Sequence, residues 1–145
     1  MKDQQPKAEL RLQVETNIEA WKQVEEWLQN IVLPLLPEDL WWQCSLVFNE
    51  GFTNAVRHAH KNLDSTTPID LEVTVFPNYL EIRIWDRGQP FDLKAKLQSI
   101  IEDPRDPLEK EGERGLLFMQ KLTEELRYIR ADDCRNCLVM RKNIT

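Results

Sequence analysis

Glu50, Asn54 and His58 stand four residues apart within Leu-Val-Phe-Asn-Glu-Gly-Phe-Thr-Asn-Ala-Val-Arg-His-Ala-His, the run that fills positions 46–60. On a helix that spacing raises a carboxylate, an amide and an imidazole in one row. A carboxylate can accept a proton from an attacking hydroxyl, and an amide oxygen is a hard ligand of the kind a small divalent cation prefers. Arg57, three residues after the amide, could add positive charge for phosphate or be a surface charge. Without any ligand the same row reads as a solvated helix edge, with Glu50 paired to Arg57 or Lys61. His58 falls on the apolar arc of the wheel, where a structural histidine is expected.

Two later stretches carry compatible chemistry. Asp86-Arg87-Gly88 follows a strand-like run, Tyr-Leu-Glu-Ile-Arg-Ile-Trp, at 79–85. An acid at a strand end facing a crevice is a common ligand contact, and glycine two residues on allows close approach because it has no Cβ. An Asp-x-Gly turn has the same residues. Further on, Gly112-Glu113-Arg114-Gly115-Leu116 opens an amphipathic helix. Free N–H groups and the dipole at such a start favour phosphate, and Arg114 adds charge. A flexible cap and turn would look alike.

The elements that must hold these groups follow from periodicity. Cys44, Val47, Phe48, Gly51, Phe52, Ala55 and Ala59 share a broad apolar face at about 100° per residue, as a helix packed on a sheet requires. The spacing predicts a strand over 10–14, then a helix from Thr16 or Asn17 stopped by Pro34 and Pro37. A central helix is expected over 38–62, with only one of Trp41 and Trp42 able to face inward. Residues 69–76 and 79–85 alternate as a hairpin joined at Pro77 and Asn78. A connection over 89–111 is interrupted by Pro90, Pro104 and Pro107, with a short helix at 93–101. A helix over 115–126 and a closing hairpin, 126–130 with 137–141, complete the order. That pattern implies an α/β two-layer sandwich, a mixed, mostly antiparallel sheet covered by helices on one face.

Bulk properties narrow the function. A length of 145 residues suits one domain over 1–145, and a net charge of −6 without a basic run disfavours direct nucleic-acid binding. No apolar run approaches the roughly 20 residues that span a bilayer, and the start Met-Lys-Asp-Gln-Gln-Pro lacks the apolar core of an export signal. A cytoplasmic protein with a protein partner and no membrane is expected. Of three cysteines, Cys44 lies on the apolar helix face, and Cys134 and Cys137 form a lone C-x-x-C without the further ligands a zinc site wants.

Taken together, the three motifs in this order resemble the Bergerat-fold, GHKL superfamily of ATPases, in particular its small anti-sigma-factor serine/threonine kinase branch. In that resemblance Glu50 to Ala59 match the N box, Asp86 to Gly88 the first glycine box and Gly112 to Leu116 the second. It implies that ATP and Mg²⁺ are bound, with Asn54 as metal ligand and Glu50 as the base that takes the acceptor's proton. Asp86 then accepts from the adenine amino group beside Gly88, and Arg57, Gly112, Arg114, Gly115 and Leu116 border the phosphates beneath a lid over 89–111. The implied partners are an antagonist protein phosphorylated on serine or threonine and a sigma factor or other regulator. A homodimer is compatible, though no seam is visible. Pro90 and Arg114 stand where the family pattern has glycine, so a non-catalytic, nucleotide-gated protein-binding module is the alternative. A histidine-kinase domain would need a dimerisation helix pair that the residues before 38 are too few to hold.

Overall fold

Alternating apolar and polar residues place β1 (Ala8–Glu15), β2 (Pro68–Val75) and β3 (Tyr79–Asp86) side by side in a computed structural model that describes residues 5–103, 113–131 and 133–145. β4 (Glu125–Arg130) and β5 (Asn136–Asn143) complete a five-stranded sheet of order β1-β2-β3-β5-β4. The sheet is more uniform than the expected mixed one, since every adjacent pair is antiparallel. Register aligns one buried face. Leu71 sits opposite Leu12 and Ile84, Val73 opposite Leu10 and Ile82, and Ile82 opposite Met140. A one-residue slip would turn these side chains to solvent, each losing roughly 1.5–3 kcal/mol of burial.

The other sheet face carries charge instead of helices. Arg11 pairs with Glu72 at 3.1 Å, Arg135 lies 4.2 Å over the Trp85 ring, and Arg141 lies 3.8 Å over Tyr79. The Trp85 indole N–H donates to Glu72.

The helical layer covers the apolar face. Asn17 caps a 3₁₀ turn by accepting from Glu19 N–H at 2.9 Å, leading into α1 (Trp21–Trp27). Helical backbone continues past α1 as a π turn and then a 3₁₀ turn, Leu33–Leu35, that Pro34 begins rather than stops. Leu36 is extended, and after Pro37 a 3₁₀ turn enters α2 (Trp41–Asn54). Trp41 faces inward with its N–H on Leu36 O at 3.1 Å, while Trp42 is 62 % exposed. Cys44, Val47, Phe48, Phe52 and Ala55 pack on the sheet, and Trp27 meets Phe48 edge-on at 6.1 Å. Burial pushes the Cys44 thiol up to about 11, so it stays protonated and packs as a small apolar group.

α3 (Leu93–Glu102) is capped by Asp92, which accepts from Ala95 N–H at 3.0 Å, and buries Leu93, Leu97 and Ile100. It occupies the short-helix part of the expected 89–111 connection; residues 104–112 lie outside the described residues. α4 (Glu113–Leu122) packs on α2, and the buried Lys142 ammonium closes its far end by donating to Leu122 O at 2.7 Å. Among the described residues no helix is long and apolar enough to cross a membrane.

Candidate functional site

After Asn54 the central helix widens into a π turn, Ala55–Ala59, in which His60 N–H reaches back five residues to Ala55 O at 2.9 Å. More residues per turn rotate the later side chains relative to a regular wheel. His58 therefore swings into line with Glu50 and Asn54, exposed, and the expectation that it is a structural histidine on the apolar face is corrected. His60 takes the inward place instead, 2 % exposed.

Glu50, Asn54, Arg57 and His58 line a cleft of about 750 Å³ that Arg114, Gly115 and Leu116 close from α4 and Ile18 and Trp21 from the α1 side. Gly115 makes the approach possible, because a Cβ there would collide with the Glu50 carboxylate. Burial raises the Glu50 pKa, with Arg114 and then Arg57 pulling the other way. Burial makes this half-buried carboxylate a better proton acceptor, while the two cations beside it favour its charged form, as a base near phosphate needs.

Asp86 and Gly88 do not border that cleft. Asp86 is 3 % exposed, and its Oδ1 accepts from Gly88 N–H at 2.9 Å and the Asn136 amide at 2.8 Å. Its Oδ2 accepts from the Tyr128 hydroxyl at 2.8 Å. The Asn136 amide also donates to Gly88 O at 2.8 Å, and Arg130 donates to Asn136 Oδ1 at 3.0 Å. Gly88 is seated on the π turn so closely that a Cβ would strike the Ala59 carbonyl.

His60 fastens the same corner. Its Nε2 accepts from Arg87 N–H at 2.7 Å, so its proton lies on Nδ1, which donates to Thr16 Oγ1 at 2.7 Å. Thr16 in turn donates to Thr67 O at 2.6 Å. Burial lowers the His60 pKa, with Asp86 raising it and Arg87 lowering it, as suits a neutral ring.

The sequence-predicted residues thus fall into two groups. Glu50, Asn54, Arg57, Arg114, Gly115 and Leu116 meet at one cleft, and Asp86 and Gly88 lie in a closed polar cluster beside the π turn. Gly112 lies outside the described residues. Sequence reasoning missed His60, Tyr128, Arg130 and Asn136. Tyr128 follows Leu126 on the inward side of β4, Arg130 lies two residues on at its exposed end, and Asn136 is paired directly with Asp86 by the β3–β5 register. A polar residue at an inward strand position was the available signal; its partner was not.

Residues 11–142 match the family model of the histidine kinase-like ATPase domain. Among similar proteins, serine-protein kinase RsbW of Oceanobacillus iheyensis is 35% identical over 82 residues, 54% of this chain and 51% of its own. The protein of that name from Bacillus subtilis is 33% identical over 87 residues, 57% and 52% of the two chains. That from Staphylococcus aureus (strain MRSA252) is 29% identical over 84 residues, 56% and 53%. The chain spans about half the length of the curated relatives it matches.

Proposed function

The chain belongs to the histidine kinase-like ATPase domain family, an ATP-binding fold, and on that premise we propose that it is a protein serine/threonine kinase that regulates by switching partners. The observation that carries this reading is the meeting of Glu50 and Asn54 with Arg57, Arg114 and Gly115 around one cleft. Similar proteins named serine-protein kinase support the reaction class.

In the proposed reaction Arg57 and Arg114 face the phosphates of ATP. Asn54 would hold Mg²⁺ beside them through its one hard amide oxygen. Bound there, Mg²⁺ supplies charge neutralisation at the phosphates. Glu50 takes the proton of an acceptor serine or threonine as its oxygen bonds to the γ-phosphorus, the bridging P–O bond breaks and ADP leaves. Its raised pKa makes it a stronger base than a free carboxylate. Asp86 is proposed to accept from the adenine amino group. The acceptor belongs to an antagonist protein, and a sigma factor or other cytoplasmic regulator is the second partner. The whole is read as one domain over 1–145.

Purified protein with Mg-ATP should label such an antagonist, and Glu50→Gln should abolish transfer while leaving Mg-ATP affinity within about twofold. Equal transfer by that variant contradicts the assignment of the base. Pro90 and Arg114, standing where the family pattern has glycine, favour a second reading, a nucleotide-gated binding module without transfer. Tight ATP binding with no labelling of any captured partner would select it.

A further inference from the structure

Whatever reaches Asp86 must first displace something, since the residue is 3 % exposed and donors already cover both of its carboxylate oxygens. Two of these donors are fixed. Gly88 N–H belongs to the turn itself, and Asn136, 0 % exposed, is also bound to Gly88 O and Arg130. Tyr128 is different. It is half-buried, and its ring lies 4.5 Å from that of half-buried Phe91 in the segment leading from β3 to α3. Burial and the adjacent Asp86 charge push the phenol well up, so it keeps its proton and donates at any ordinary pH.

We propose that Tyr128 sets how tightly the base is held. Its hydroxyl occupies Asp86 Oδ2, the oxygen that the adenine amino group takes in the complex, and the Tyr128–Phe91 pair moves aside as the base enters. This rests on the reading of Asp86 as the adenine contact. The exchange is one of donor for donor, so the carboxylate is never left unpaired. A base presenting a carbonyl oxygen at that edge cannot make the exchange, because two acceptors would face each other. Tyr128 therefore lowers affinity for every base and tolerates only one that replaces its proton.

Calorimetric titration of adenosine and of Mg-ATP into the parent, Tyr128→Phe, Asp86→Asn and the double variant tests this. Phenylalanine keeps the ring and its contact with Phe91 but frees Oδ2. Tyr128→Phe should bind both ligands roughly three- to tenfold more tightly. The gain should fall below about twofold in the Asp86→Asn background, because the competition acts through that carboxylate. A purely structural tyrosine would lower the melting temperature of the variant without tightening either ligand. Unchanged or weaker binding by Tyr128→Phe, where Asp86→Asn does weaken the parent, overturns this inference alone. A parent that binds neither ligand, or whose affinity Asp86→Asn leaves unchanged, overturns the adenine reading and this inference with it.

Discussion

A neutral His60 is a condition of the folded corner, not an accident of pH. Its Nε2 must accept from Arg87 N–H, and a second proton would set two donors against each other in a buried place. The consequence for stability has a definite sign. Burial lowers the folded-state pKa below the ordinary histidine value near 6.5, so the unfolded chain binds the proton more readily. The contribution of the neutral ring is complete above about pH 6.5. It is lost as the pH falls from there through the lowered folded value. Urea unfolding at pH 8 and pH 5.5 should show the parent losing more stability than His60→Gln, whose side chain can still accept from Arg87 but does not titrate. Equal losses would mean that His60 is not held neutral by folding.

Two glycines separate what the elements need for folding from what they need for chemistry. At Gly88 a methyl would meet the Ala59 carbonyl, which belongs to the π turn and cannot swing away. Gly88→Ala should cost roughly 1–3 kcal/mol of stability, read as a lower urea midpoint. At Gly115 the obstacle is the Glu50 carboxylate, the free end of a flexible side chain, and alanine also suits the helix better. Gly115→Ala should leave the urea midpoint nearly unchanged while phosphotransfer falls at least tenfold, since the acid itself is displaced. A variant that unfolds more easily yet transfers normally would contradict that division. Much of this framework was legible beforehand. The apolar face from Cys44 to Ala55 and the inward alternation of β2 and β3 are local patterns, and both appear in the structure. The π turn was not legible, because Ala-Val-Arg-His-Ala has nothing that forbids a regular helix, and so His58 and His60 exchange the places a regular wheel gives them. Nor was the Asp86 cluster, since Asn136 and Tyr128 reach it only through the β3–β5 and β4–β5 registers, some fifty and forty residues away in sequence.

Across the whole molecule the candidate site is divided between layers. The helical layer brings Glu50, Asn54 and Arg57 to the cleft, and the sheet brings Asp86 from the end of its central strand, with Tyr128 and Asn136, to the closed cluster. The seam where they meet is the π turn, which carries Arg57 and His58 on one side and seats Gly88 on the other. Cations stand on the cleft side, although the chain as a whole carries a net charge of −6. Phosphate is thereby favoured locally on a protein that repels anions overall. The central claim is that cleft and cluster are two ends of one nucleotide site. Calorimetry with Mg-ATP and with adenosine, which has no phosphate, separates the ends most directly. Asn54→Ala is expected to weaken Mg-ATP binding at least tenfold and adenosine binding less than twofold, whereas Asp86→Asn should weaken both by similar factors. An Asn54→Ala protein that binds Mg-ATP like its parent, or an Asp86→Asn protein that binds adenosine like its parent, would contradict the account.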